Sequence, residues 1–160
     1  MSVAGDILAT YRHPGAVIAR RAGETPREDR ALAVLILACT LVFVAQWPRL
    51  TRQATLNGED LRPLLGGALF AWLFIMPLVL YALGSLSHLI ARPLGGRGSG
   101  YHARFALFWA LLAAAPLWLI WGLVAGYAGP GVVLKLVGFV ALLAFLVFWW
   151  AGLRRVEWQK

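Results

Sequence analysis

Four apolar runs, at 31–47, 64–91, 105–127 and 132–153, take up most of this 160-residue chain. Crossing ~30 Å of hydrocarbon takes roughly 20 apolar residues in a helix. Inside lipid the backbone must satisfy its own hydrogen bonds, which leaves helices or a closed barrel. The runs lack the period-two alternation of barrel strands. The expected fold class is therefore all-α: a polytopic transmembrane helical bundle of four spans with a short amphipathic N-terminal segment. Composition agrees, at 61% apolar and 14% charged, since soluble domains carry about 25% charged residues. Eight tryptophans fit the same class, because indole favours the membrane–water interface.

The expected organisation is a cytoplasmic amphipathic segment at 1–30, a bundle at 31–153 and a basic cytoplasmic tail at 154–160. Residues 1–30 hold five arginines and neither an apolar core nor a small-residue cleavage site. No leader is expected there, and the first span itself would direct insertion. In "TPRE", Thr25 reads as an N-cap, Pro26 as the first helical position and Glu28 as its capping-box partner. The same helix is expected to stop at "QWPR", before Pro48. Pro77 and Pro116 fall within the second and third runs and predict kinks or tilt. "AGPG" predicts a tight antiparallel return. The first loop carries an Asn57-Gly58 turn, then Glu59 and Asp60 before a helix that begins near Pro63. Acids there complement the helix dipole.

Arginine and lysine set the orientation. Eleven of the fifteen lie in the N-terminal segment, the second loop and the tail; the other four are Arg49, Arg52, Arg62 and Lys135. Positive residues stay inside, so both termini are expected in the cytoplasm. Lys135, about a turn into the fourth span, can snorkel outward.

A net charge of +8 also occurs in nucleic-acid binders, but those need a clustered basic face. Here the bases are scattered among short loops, so nucleic acid is excluded as a partner and anionic lipid headgroups are expected. Arg92, Arg97, Arg104, Arg154 and Arg155 are the expected headgroup contacts. In the N-terminal "GDILATYRHPGAVIARR", Ile7, Leu8 and Tyr11 share one helical face, and Val17 and Ile18 follow Pro14. Such a segment can lie along headgroups with its apolar side buried.

"RPLGGRGSGYHAR" (92–104) superficially resembles a phosphate loop. It lacks the lysine, the preceding strand and the dinucleotide spacing that phosphate binding needs. Helix termination with positive φ explains its glycines. His88 shares a helical face with Tyr81, Gly84 and Ser85. Small and polar residues on one face allow close helix packing, although an ionisable group inside a span also marks function. Gly122 and Gly126 form a small-x-x-x-small pair suited to contact within the bundle or with another protein. Trp149 and Trp150 are expected as interfacial anchors. Cys39 is a lone packing cysteine; the three histidines lack metal-ligating neighbours, and no buried acid completes a triad. No catalytic, cofactor or metal residue is assigned, and the chain reads as non-enzymatic.

The stretch "HLIARPLGGRGSGYHARFALFWALLAAAPLWLI" resembles the middle of bacterial members of the Yip (Ypt/Rab-interacting protein) domain family. The matching positions are His88, Leu89, Ile90, Ala91 and Arg92, then Gly95, Gly96, Arg97, Gly98 and Ser99, then the mid-span Pro116. "YRHPGAVIARR" is similar to the family's opening. "EDLRPLLGG" is similar to the Asp-Leu-x-Gly-Pro-Leu element of eukaryotic relatives, one residue shorter. The family is usually drawn with five spans; four are evident here. The resemblance implies a small, multi-pass protein of a bacterial inner membrane, in a family whose eukaryotic members serve vesicle traffic. The expected function is an accessory or scaffold protein for other integral membrane proteins, itself, or lipid. The alternative is a small permease or channel with the His88 face along its path.

Overall fold

The computed structural model describes residues 2–158 and contains only helices and turns among them. They are α1 (Val3–Thr10), α2 (Pro14–Ala22), α3 (Glu28–Asn57), α4 (Leu61–Phe70), α5 (Met76–Ala91), α6 (Gly100–Tyr127) and α7 (Val132–Trp158). A π-helical turn, Ala71–Ile75, joins α4 to α5, and a 3₁₀ turn, Arg92–Leu94, extends α5. Four rods are long and apolar enough to cross a membrane: Glu28–Asn57, Leu61–Leu94, Gly100–Tyr127 and Val132–Trp158. The all-α bundle with four candidate spans is thus observed, and the apolar helices point to a multi-pass membrane protein.

The bundle is built around α6. Its first half is buried almost without interruption, with Phe105, Phe108, Trp109 and Leu112 at the centre. Alanines at 113–115 let neighbours approach it. Against it, α3 presents Ala31, Leu35, Ala38, Val42 and Ala45, all buried. Those positions recur every three or four residues, the stripe one helix face provides. By contrast α5 and α7 leave long apolar faces outward, including Leu78, Leu86, Phe139 and Leu143. Outward apolar faces suit lipid, which solvates them as readily as another helix would.

Several boundaries differ from the sequence expectation. Helix α3 starts at Glu28 with Arg27 at its N-cap, so Thr25 and Pro26 lie outside it. It also continues through Pro48 to Asn57. Proline lacks its own donor and sets its ring against the carbonyl a turn earlier, a cost of ~3 kcal/mol that the packing of this long helix offsets. The Pro48 ring lies against Gly126 of α6, and packing holds the helix together there. The second rod places its π turn immediately before Pro77. A widened turn accommodates the ring, which would clash with the carbonyl four residues back. Helix α6 runs uninterrupted through Pro116. Asp60 is the N-cap of α4, its carboxylate accepting from the Arg62 amide at 3.0 Å. Gly58 adopts the left-handed conformation (φ 66°) that the Asn-Gly turn predicts.

The tail expected at 154–160 is helical as far as Trp158, and residues 159 and 160 lie outside the described residues. The N-terminal segment is a helical hairpin docked into the bundle. Ile18 is fully buried against Gly152 and Ala106, and the Tyr11 ring meets Phe148 edge-on at 5.0 Å. The expected amphipathic segment is thus two short helices: Val17 and Ile18 are buried in the bundle and Ile7 packs against it, while Val3 and Leu8 stay exposed. Pro14 starts α2 and turns the chain back on itself, which lets Val17, Ile18 and Ala22 of α2 join the core.

Candidate functional site

The polar face of α5, the glycine loop and the last turn of α7 converge at one end of the bundle. Glu157 lies at their centre, its side chain fully buried. His88 Nδ1 stands 2.7 Å from Glu157 Oε1, and the Gly98 amide donates to Oε2 at 3.0 Å. An ionised carboxylate accepts both bonds when the His88 proton sits on Nδ1. The Arg97 amide donates to the Glu157 backbone carbonyl at 2.9 Å. Trp158 Nε1 donates to the Leu94 carbonyl at 3.1 Å. A loop that looks able to hold a phosphate instead holds a carboxylate from its own chain.

The glycines follow from that closure. Gly95 is left-handed at φ 86° and ends the 3₁₀ turn. A Cβ on Gly96 would come 2.8 Å from both the Ala91 carbonyl and Glu157 Oε2. One on Gly98 would come 2.7 Å from the Val156 carbonyl. The loop can wrap the helix end only because these positions have no side chain. Ser99 then caps α6, its hydroxyl accepting from the His102 amide at 3.4 Å.

The remaining predicted residues fall into place around this clasp. Gly84 lies so close to α6 that a Cβ would sit 2.9 Å from Arg104 Cα. The Ser85 hydroxyl accepts from Arg104 at 3.4 Å. Arg104 forms an ion pair with Glu28 and lies over the Tyr81 ring. It therefore ties α3, α5 and α6 together. Arg92, Arg97, Arg154 and Arg155 are exposed. At the opposite end of α6, a Cβ on Gly122 would run into the Ala45 carbonyl of α3, and one on Gly126 into Pro48. That pair packs the bundle internally. Arg52 reaches from α3 to the terminal carbonyls of α6 at Gly126 and Tyr127 (3.3 and 3.4 Å), a cationic C-cap.

A second buried carboxylate escaped the sequence reading. Asp6, 1% exposed, pairs with Arg20 and Arg21 across the hairpin. The Arg21 guanidinium stacks over Trp109 at 5.1 Å, and the Trp109 indole donates to the Thr10 hydroxyl at 3.0 Å. Thr10 in turn donates to the Asp6 carbonyl at 2.7 Å. Tyr11 donates to the Ala113 carbonyl at 3.0 Å, and burial raises its phenol pKa. Both clusters consume their charges internally, as buried carboxylates require. Among the described residues there is no group of three or more histidine, cysteine or acidic side chains that could hold a metal. Cys39 is buried in α3.

No family model, no curated protein and no solved structure matches this chain.

Proposed function

We propose that the chain is a non-enzymatic integral membrane protein of the bacterial inner membrane. It would act as an accessory or scaffold for other membrane proteins or for lipid, in line with its resemblance to the Yip family. The observation that carries this reading is the disposition of polar groups. His88 and Glu157 are committed to each other and to the glycine loop, and Asp6 to Arg20 and Arg21. What faces outward is apolar helix surface bordered by arginines. Such a surface offers contact rather than chemistry. With His88 tied into the clasp, the permease alternative loses the residue it was built on. Both termini would face the cytoplasm under the positive-inside rule.

The test is native mass spectrometry of the protein extracted in mild detergent, together with solute flux in proteoliposomes. A defined complex with another membrane protein, or a fixed number of retained anionic lipids, supports the scaffold. A bare monomer that conducts solute, with flux abolished in His88→Ala, overturns it in favour of a permease.

A further inference from the structure

We propose that the groove between the tip of the N-terminal hairpin and α7 is a binding site for an anionic phospholipid headgroup. The groove is about 540 Å³ and is lined by Arg12, His13, Pro14, Trp150, Arg154 and Arg155. Three arginines and a histidine thus line it, and among the described residues no acidic side chain does. Arg12 and Arg154 are exposed and make no ion pair with any described residue.

The backbone adds to the charge. Helix α2 begins at Pro14 with His13 at its N-cap, and His13 gives no side-chain capping bond. The first-turn amides of Gly15 and Ala16 find no backbone acceptor among the described residues. They open where the two flanking arginine sources meet, and free first-turn amides favour an anion. Gly15 lets the helix start sit directly on α7, where a Cβ would be 3.0 Å from the Ala151 carbonyl.

Position selects lipid among phosphate-bearing ligands. The groove sits where the apolar run of α7 gives way to Arg154 and Arg155, at the level of a headgroup layer. Trp150, 61% exposed, forms its wall on the membrane side. An indole there suits the interface. A second, apolar groove lies across the same tryptophan, lined by Leu146, Trp149, Leu153 and Ile90, and an acyl chain descending from the headgroup would meet it. Arg12 and Arg154 would hold the lipid phosphate, with guanidinium forks matched to its oxygens.

This site rests on the membrane-embedded reading above. Its test is the retention of phosphatidylglycerol after transfer from nanodiscs of phosphatidylcholine with phosphatidylglycerol into detergent, counted by native mass spectrometry. Wild type is expected to keep phosphatidylglycerol and shed phosphatidylcholine. Arg12→Gln/Arg154→Gln should weaken retention about thirtyfold, from two charges at ~1 kcal/mol each. Ala16→Glu, exposed in the first turn where the helix dipole favours an acid, should also abolish retention without lowering the melting temperature. Arg92→Gln/Arg97→Gln, on the glycine loop, should retain lipid as wild type does. Equal retention by wild type and Arg12→Gln/Arg154→Gln would overturn the site. So would loss in the glycine-loop variant alone, or inorganic phosphate binding in the groove as tightly as lipid does. A protein that purifies without any protein partner yet shows the predicted pattern removes the protein-partner half of the scaffold reading, keeps its lipid half and leaves the groove standing.

Discussion

Replacing Glu157 by alanine removes the acceptor on which α5, the glycine loop and α7 converge. Two bonds end at its carboxylate, from His88 at 2.7 Å and the Gly98 amide at 3.0 Å. Each hydrogen bond to a charged group contributes ~1.5–3 kcal/mol, and a buried donor left without a partner costs ~1–3 kcal/mol. These overlap, so the net loss is close to the ~3–5 kcal/mol seen when one member of a buried pair is deleted. For a chain of this size that lowers the melting temperature on the order of 10 °C. Glu157→Gln separates charge from geometry. Its amide oxygen accepts from Gly98, and its amide nitrogen can donate to His88 in the other tautomer. A loss of about 1–2 kcal/mol is expected. Thermal unfolding in detergent followed by tryptophan emission gives the global effect, and hydrogen exchange at residues 95–99 gives the local one. An alanine variant that melts with wild type, its loop amides equally protected, would refute the clasp.

His88→Ala should destabilise by about 1–3 kcal/mol, and His88→Gln by clearly less, because glutamine can still donate to Glu157; the two melting curves decide. Gly122→Val should separate α3 from α6 or bend one of them, since even a Cβ there meets the Ala45 carbonyl. Overpacking of this kind costs ~1–3 kcal/mol, read by the same melt, whereas Gly131→Val, in open space, should not matter for packing. Tyr11 makes hairpin docking sensitive to alkali. Its pKa is raised by burial above the ordinary 10.0. Docking is therefore undiminished below pH 10 and weakens as pH rises through the folded value, because the undocked phenol ionises first. Tyr11→Phe should lose about 1 kcal/mol at neutral pH and abolish that alkaline component in a hydrogen-exchange titration of α1.

The helical class and the number of spans were legible because lipid imposes a length and forbids unpaired backbone. Asp60 and Gly58 were legible for a local reason: cap and turn chemistry depends on near neighbours. Pro48 misled because its local penalty is modest beside the packing of a 30-residue helix on α6. The clasp was half legible. The His88 face and the glycine loop stood out, but their partner, Glu157, lies 69 residues from His88 in a segment that reads as a basic tail. Its one local signal is placement between Val156 and Trp158, which carries an acid into an apolar helix face. Asp6 was hidden in the same way, since only the fold brings Arg21 and Trp109 beside it.

The most direct test of a bundle crossing the bilayer four times, with its clasped end inside, is labelling of single cysteines by a membrane-impermeant maleimide. In a Cys39→Ser background, cysteines at Gly58 and Gly131 should label in intact cells. Cysteines at Ser2 and Arg97 should label only after the membrane is opened. Labelling of Arg97→Cys from outside, or of all four positions equally before permeabilisation, would contradict it.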